Sequence, residues 1–352
     1  MIDLLGYNEK DFPVNELPCD DAILGRVIEE HRERYFVMTE NGVFEAGVTG
    51  KIMYSFESKD SYPAVGDWVL LSPLDEDQGI IHQILARKTL LRRRAKNKKD
   101  GEQVIAANID TAFIVMAGNE DFSINRLERY LTIVYNGGIE PVIILNKTDL
   151  FSEEEIKSLI QEIKDRHPDV KLVWTSALTK EGIEHIVEHL LPGKTYGFIG
   201  SSGVGKSSLI NRLTGGERQK VAHISNSSDK GRHTTTYREL IELENGALLI
   251  DTPGMREIGI SANELGLEET FSDIFDLALD CRFSDCTHRK EPGCAVIAAV
   301  ERGELQQAKL DNFHQLKLES DYYQMNDYEK RIRDKSFSKM MKEIKRNKKT
   351  TS

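Results

Sequence analysis

The chain has 352 residues and a formal net charge of −11, and its hydrophobic (39%) and charged (30%) contents exclude a disordered chain and predict two or three folded domains. No apolar run approaches the ~18–20 residues that cross a bilayer, so a membrane-spanning protein is not expected. Residues 1–20 lack the basic-then-apolar pattern of a secretory signal, and we therefore expect a cytoplasmic protein.

The charge is unevenly distributed along the chain. Between Lys330 and Lys349 there are ten Lys or Arg residues and two acids, so a basic tail follows an acidic body. A second basic cluster lies earlier and comprises Arg92, Arg93, Arg94, Lys96, Lys98 and Lys99. Basic clusters of this kind indicate a polyanionic partner, and the alternative for each is a solvated linker or tail.

Residues from about 21 to 87 contain five short runs rich in β-branched and aromatic residues, separated by turn residues such as Asn41-Gly42 and Ser72-Pro73. Five strands within roughly seventy residues predict a small barrel. The spacing is compatible with either an OB-like or an SH3-like barrel, and the OB-like form commonly binds RNA. The predicted strands are Ile23–Ile28, Tyr35–Met38, Gly42–Ala46, Asp67–Leu71 and Gly79–Ile84.

From Ala106 onward, continuous apolar runs alternate with segments of helical periodicity. This alternation predicts a parallel, doubly wound α/β sheet, whose ligands bind at the carboxyl ends of the strands. The predicted strands are 110–116, 140–145, 170–174, 196–200, 240–243 and 247–251. The predicted helices are 123–135, 152–166, 182–191 and 207–213, with Ser152 and Glu155 forming a capping box.

A phosphate-binding loop is predicted between one of these strands and the helix that follows it. Residues 200–208 fit the pattern G-x-x-x-x-G-K-[ST], in which backbone N–H groups surround a phosphate chain at a helix N-terminus. Lys206 would reach the β- and γ-phosphates, and the Ser207 hydroxyl would hold Mg²⁺. A chance Gly/Ser loop is the alternative. The predicted phosphate-binding residues are Gly200, Ser201, Ser202, Gly203, Val204, Gly205, Lys206, Ser207 and Ser208.

A second motif, Asn146-Lys147-Thr148-Asp149, ends a predicted strand. The Asp149 carboxylate can accept two parallel hydrogen bonds from N1–H and N2–H₂ of guanine, a donor pair that adenine lacks. Lys147 would lie along the base plane, and Asn146 would tie this loop to the phosphate loop. After the next strand, Ser176 and Ala177 would lie beside the purine O6. A helix-capping Asp is the alternative for the tetrapeptide.

The third motif is Asp251-Thr-Pro-Gly254. Asp251 would reach Mg²⁺ through a water molecule, and the Gly254 amide would contact the γ-phosphate. The polar segment 222–236 precedes this motif and would become ordered when Thr235 completes the Mg²⁺ shell. The alternatives are a simple strand-end turn for the motif and a surface loop without a role for the segment.

Three cysteines and one histidine fall within fourteen residues in the pattern Cys281-x₄-Cys286-x-His288-x₅-Cys294. A Cys₃His set is typical of a closed, structural zinc site, and unliganded buried cysteines are the alternative. Cys19 lies far from the cluster and is predicted to be unliganded. Residues 295–335 are predicted to be helical, with a packing stripe at Val300, Leu305, Ala308, Phe313 and Leu316.

The guanine-binding motif precedes the phosphate loop, and the Asp251–Gly254 motif follows it. With a barrel before them and a Cys₃His cluster after them, the sequence from Asp21 to Arg331 resembles the ribosome small-subunit-dependent GTPase A (RsgA) family, whose GTPase domain is circularly permuted. The resemblance implies GTP hydrolysis to GDP stimulated by the small (30S) ribosomal subunit during late maturation of that particle. It also implies binding to 16S rRNA by a monomer.

These observations predict a multidomain protein: an OB-like β-barrel, a circularly permuted α/β P-loop GTPase domain and a C-terminal α-helical zinc-binding domain. Its cofactors would be GTP or GDP, Mg²⁺ and one structural Zn²⁺. The expected boundaries are 1–20 for an N-terminal extension, 21–100 for the barrel with a basic linker, 101–262 for the GTPase domain, and 263–352 for the zinc domain with its basic tail.

The residue after Gly254 is Met255, where Ras-like GTPases have a glutamine that orients water. Because a thioether cannot orient water, we expect slow intrinsic hydrolysis, with His233 as a candidate to orient or deprotonate the attacking water; a solvated loop histidine is the alternative. Met255 also leaves an alternative function open, that of a nucleotide-gated RNA-binding protein with negligible turnover. An ATP-dependent kinase is disfavoured by Asn146–Asp149 and by the lack of a recognisable phosphoacceptor site.

Overall fold

The computed structural model describes residues 2–31, 34–48, 62–94, 102–118, 122–215, 238–251, 265–325, 328–329 and 332–333. The chain divides into two compact units, Met1–Gly259 and Ile260–Ser352. Among the described residues, no helix combines the length and apolar character that a membrane span requires.

The first unit begins with a closed five-stranded barrel, which confirms the barrel prediction. Its strands pair in the order β1-β2-β3-β5-β4, and β4 pairs again with β1 to close the barrel. The β3–β5 pair is parallel and the others are antiparallel. This order resolves the choice left open by spacing in favour of the OB-like form. The strands are β1 (Ile23–His31), β2 (Arg34–Thr39), β3 (Gly42–Val48), β4 (Trp68–Pro73) and β5 (Gln78–Ile84).

A hairpin follows the barrel where the sequence predicted only a basic linker. Strands β6 (Leu90–Arg94) and β7 (Glu102–Ala107) pair antiparallel, so Arg92–Arg94 lie in a strand. Leu91, Ile105 and Ala106 are buried. The linker prediction was wrong here because a run of cationic residues is typical of a linker. The strand forms nonetheless, since packing of its apolar residues stabilises it. The other members of that cluster, Lys96, Lys98 and Lys99, lie outside the described residues.

The rest of the first unit is an α/β sheet with five parallel strands in the order β10-β9-β8-β11-β13. Strand β12 pairs antiparallel with β13 and continues into the barrel through a short pairing with β1. Arg238 of β12 donates to Glu30 of β1 across that junction at 2.6 Å. The strands are β8 (Thr111–Ala117), β9 (Glu140–Asn146), β10 (Lys171–Thr175), β11 (Thr195–Ile199), β12 (Arg238–Glu242) and β13 (Leu248–Asp251).

In the part of this unit that the structure describes, four α-helices accompany these strands, and a side-chain N-cap marks the start of two of them. Ser123 accepts a hydrogen bond from the Arg126 amide at the start of α1. Ser152 and Glu155 form the predicted capping box of α2. Strands β8 and β9 are buried along almost their whole length, as in parallel sheets covered on both faces. The helices are α1 (Ile124–Asn136), α2 (Glu153–Arg166), α3 (Ile183–Glu188) and α4 (Lys206–Leu213).

Arg26 of β1 joins the barrel to the α/β sheet. It is 2% exposed, and its guanidinium donates to the carbonyl oxygens of Leu5, Gly66 and Asn108 and, over 2.9 Å, to the Thr195 hydroxyl at the start of β11. Burial lowers the pKa of Arg26 to about 10, while Asp110 and Asp67 oppose that shift. Since this cation contacts four separated segments, the barrel and the sheet share one buried polar junction.

The described residues of the second unit form α-helices and connecting loops. Its helices are α5 (Leu265–Thr270), α6 (Ser272–Ala278), α7 (Ala295–Glu301) and α8 (Gln307–Gln324). The predicted continuous helix over 295–335 is interrupted after Glu301, where Gly303 adopts a positive φ of 76°. Leu305, Phe313 and Leu316 of the predicted stripe are buried, but Val300 is half-buried and Ala308 is exposed, because the interruption shifts the helical face.

Candidate functional site

The predicted phosphate loop connects β11 to α4, and α4 begins at Lys206. Three of its glycines have positive φ: Gly200 (147°), Gly203 (83°) and Gly205 (100°). A Cβ on Gly200 would lie 2.3 Å from the Val115 carbonyl oxygen. The loop therefore requires glycine for its backbone conformation and, at Gly200, also for close packing against β8.

The Lys206 ammonium lies on its own loop. Its Nζ donates to the carbonyl oxygens of Gly200 at 2.6 Å and Ser201 at 2.7 Å. The cation is thus held over the start of the loop. Lys206 is placed where it could exchange these carbonyl oxygens for phosphate oxygens, which are the stronger, charged acceptors.

Asn146 ends β9 and connects the predicted base-binding loop to the phosphate loop. Its side chain is 1% exposed, and its Nδ2 donates to the Val204 carbonyl oxygen at 2.8 Å. Its Oδ1 accepts from the Ala177 amide at 3.2 Å. The predicted tie between the two loops is present, and a third segment joins them at the same side chain.

Two further contacts in this region were missed from the sequence. The Ser176 hydroxyl donates to Oδ1 of Asp149, and it accepts from the Thr179 amide at 3.1 Å. Arg212 of α4 donates from Nε to the Ala177 carbonyl oxygen at 2.9 Å. Ser176 thereby orients the carboxylate that the sequence assigned to guanine. The Arg212 contact depends on two segments meeting in the fold, and no local pattern indicates it.

A cavity of about 750 Å³ lies between these loops. Its volume is within the range of small-molecule sites. Lys147, which has a positive φ of 65°, and Asp149 line it on one side, and α4 lines it on the other. The lining also includes Asn146, Ala177, Gly205, Ser208 and Arg212.

The remaining predicted site residues divide into two groups. Ser207 is the second residue of α4, and Asp251 is the last residue of β13, which neighbours β11 in the sheet. The structure therefore places both on elements that surround the phosphate loop. His233, Thr235, Gly254 and Met255 lie outside the described residues, and their roles stay predictions.

In the second unit, Cys281, Cys286, His288 and Cys294 converge, and their ligand atoms all lie within 4.8 Å of one another. Sγ of Cys281 and Sγ of Cys294 are 3.8 Å apart, and Nδ1 of His288 lies 3.6 Å and 3.4 Å from these two sulfur atoms. His288 has a positive φ of 57°, which is uncommon for a residue other than glycine.

These separations fit a tetrahedral zinc ion. Zinc bonds of ~2.3 Å to sulfur and ~2.0–2.1 Å to nitrogen separate the ligand atoms by about 3.5–3.8 Å. The Ala295 amide lies 3.4 Å from Sγ of Cys281, and the Ile297 amide lies 3.4 Å from Sγ of Cys294. Amide donors of this kind stabilise thiolates, so the donor set is compatible with zinc binding.

The chain is similar to proteins of one GTPase family. The RsgA GTPase family model matches residues 84–261. The protein named small ribosomal subunit biogenesis GTPase RsgA 2 of Lactiplantibacillus plantarum is 46% identical over 304 residues, which are 86% of this chain and 85% of that protein. Small ribosomal subunit biogenesis GTPase RsgA 1 of Bacteroides thetaiotaomicron is 38% identical over 350 residues, 99% of this chain and 97% of that protein.

Two solved structures are also similar. YjeQ from Thermotoga maritima superposes with a TM-score of 0.65 at 29% identity, covering 87% of this chain and 100% of that one. YloQ, described as a circularly permuted GTPase, has a TM-score of 0.63 at 27% identity and covers 89% of this chain and 100% of that one.

Proposed function

Because the chain belongs to the RsgA GTPase family and is a GTPase, we propose that it hydrolyses GTP under stimulation by the small (30S) ribosomal subunit and acts in late maturation of that particle. The observation that carries the proposal is the contact of Asn146 with Val204, which places Asp149 and the phosphate loop on one cavity. A base and a phosphate chain would then be bound by two loops of one compact unit.

Separate sets of residues are proposed to bind the base and the phosphates of GTP. Asp149, oriented by Ser176, accepts from the guanine N1–H and N2–H₂ groups, and Lys147 covers the base plane. The Ala177 amide, which donates to Oδ1 of Asn146, would lie beside the purine O6. Lys206 and the backbone amides of the phosphate loop hold the β- and γ-phosphates. Thr148 shapes the turn between the base-binding residues, where a short 3-10 helix begins.

Ser207, Thr235 and, through water, Asp251 would hold Mg²⁺. The ion would neutralise charge on the phosphate oxygens. The positions of Ser207 on α4 and Asp251 at the end of β13 fit this set, since both elements flank the phosphate loop. The Gly254 amide would contact the γ-phosphate, and His233 would orient or deprotonate the attacking water in place of the missing glutamine at Met255.

The Cys₃His cluster would bind one structural Zn²⁺, because all four donors are protein side chains and leave no open position. For the partner, the names of the similar proteins and the basic stretches of this sequence support a ribosomal target that includes 16S rRNA. We propose that the protein acts as a cytoplasmic monomer.

The decisive experiment measures GTP turnover at increasing concentrations of purified small subunits, with large subunits as the control. The proposal predicts saturable stimulation by small subunits alone. Equal rates with and without small subunits would overturn it. A contact with rRNA phosphates predicts in addition that subunit affinity falls ~10³–10⁵-fold between about 50 and 200 mM salt, if ~6–10 phosphates are contacted.

A second candidate function is a nucleotide-gated rRNA-binding switch with negligible turnover, and Met255 is the observation that favours it. This alternative predicts tighter subunit binding with a non-hydrolysable GTP analogue than with GDP, but no turnover at any subunit concentration. The same titration therefore separates the two functions.

A further inference from the structure

Ser201, the second residue of the phosphate loop, is held from two sides. Its carbonyl oxygen accepts from Nζ of Lys206 at 2.7 Å. Its hydroxyl oxygen lies 3.1 Å from the Tyr130 hydroxyl and 3.4 Å from Nη1 of Arg126, both on α1. No part of the loop motif requires contacts from α1, so these two residues are an addition to the motif.

The helix that supplies these contacts is itself firmly anchored. Arg126 and Tyr130 are four residues apart and therefore lie on the same face of α1. Tyr130 is buried. Glu128 of the same helix accepts from Arg166 of α2 at 2.7 Å, and both side chains are almost completely buried. The pair that contacts Ser201 thus projects from a helix held by a buried ion pair.

When a nucleotide is bound, phosphate oxygens compete for the three N–H donors of Lys206, so its contact with the Ser201 carbonyl oxygen weakens. Of the contacts described for Ser201, those to Tyr130 and Arg126 are independent of Lys206. Since Lys206 is the group that reaches the β- and γ-phosphates, the segment it now covers, Gly200–Ser201, flanks the distal end of the phosphate chain.

We propose that Tyr130 and Arg126 are positioning residues for GTP hydrolysis, which hold Ser201 and thereby keep the phosphate loop in its catalytic shape when Lys206 also binds the phosphates. This inference rests on the proposed phosphate-binding role of Lys206. The pair touches neither base nor phosphate in this scheme. Its loss should therefore weaken transition-state stabilisation more than ground-state binding of nucleotide.

The test compares Tyr130→Phe, Ser201→Ala and the double variant in steady-state GTP hydrolysis with small subunits present. Each single change removes one partner of the same contact, so each should lower kcat roughly 3- to 10-fold while KM stays within about twofold. Because both changes remove the same contact, the double variant should be no slower than the slower single variant. Tyr135→Phe, at the other end of α1, is the matched control and should hydrolyse GTP like the wild type.

Lys206→Ala, measured alongside, separates this inference from the proposed function. If Lys206→Ala keeps wild-type turnover, the phosphate-loop assignment itself fails. If Lys206→Ala is inactive, wild-type kcat in both single variants would overturn the inference alone. An additive loss of kcat of about 10- to 100-fold in the double variant would also overturn the inference. A raised KM at unchanged kcat in the single variants would do the same.

Discussion

Asn146 donates from Nδ2 to the carbonyl oxygen of Val204 at 2.8 Å, so two loops that are 58 residues apart in the chain share one buried hydrogen bond. The neighbouring residue in the phosphate loop is Gly205, where a Cβ would lie 2.2 Å from the same nitrogen. The spacing between the base-binding and phosphate-binding loops therefore depends on a glycine at this position.

We expect Gly205→Ala to displace Asn146 and to weaken GTP and GDP binding at least 10-fold, because a Cβ both clashes with Asn146 and strains a φ of 100°. Gly203→Ala is the matched control: its φ is also positive, at 83°, but no atom lies within 4 Å of the added Cβ. Titration with a fluorescent guanine nucleotide measures both variants. Equal losses in the two would show that backbone strain alone, and not the spacing of the loops, sets the affinity.

The Arg26 junction should be important for stability. Arg26→Met leaves the buried Thr195 hydroxyl and the carbonyl oxygens of Leu5, Gly66 and Asn108 without this donor, and we expect a loss of about 2–5 kcal/mol. Arg34→Ala removes an exposed ion pair with Glu45 and should cost below ~1 kcal/mol. The urea midpoint of each variant, followed by circular dichroism, gives the comparison. Similar midpoints for the two variants would contradict a structural role for the junction.

From the Cys₃His cluster we predict that each purified chain contains one zinc ion. We predict that the Cys286→Ser variant loses this ion. Because structural zinc sites contribute ~10–16 kcal/mol in small peptides, this variant should also lose helical signal from the second unit. Cys19→Ser, which changes a cysteine outside the cluster, should retain the metal. Elemental analysis measures the zinc content of both variants. Equal zinc contents would rule out the cluster as the binding site.

His233→Ala should lower subunit-stimulated turnover about 10²-fold or more and leave GTP affinity within about twofold, because general acid–base groups act mainly on the chemical step. His185→Ala, on α3, should leave both quantities unchanged. Single-turnover hydrolysis and nucleotide titration give the two values. Persistent turnover in His233→Ala would transfer the catalytic role to another group.

The strands and helices of the α/β sheet could be predicted because continuous apolar runs and helical periodicity report burial directly. The parallel order of the strands follows from that alternation, and the site motifs lie where such strands end. The β6–β7 hairpin could not be predicted, since Arg92–Arg94 resemble a linker and the burial of Leu91 depends on tertiary packing.

Within the candidate site, the residues of each motif could be identified from spacing because backbone geometry imposes the glycines and the lysine. The contacts between motifs could not be identified. Arg212 reaches Ala177, and Tyr130 reaches Ser201, only because segments 35 and 71 residues apart meet in the fold. The polar segment 222–236 and the Thr252–Met255 stretch lie outside the described residues, so their proposed roles still rest on the sequence.

Asp149 provides the most direct test of the account, because it is the residue proposed to select guanine. In Asp149→Asn the side-chain amide offers an N–H donor, whereas the Asp149 carboxylate offers only acceptors. This donor suits xanthine, which has a carbonyl oxygen where guanine has its N2 amino group. We predict that this variant binds GTP roughly 10- to 100-fold more weakly and recovers both affinity and turnover with xanthosine triphosphate. If xanthosine triphosphate does not restore binding, or if GTP binds the variant as tightly as the wild type, Asp149 does not contact the base and the proposed site is wrong.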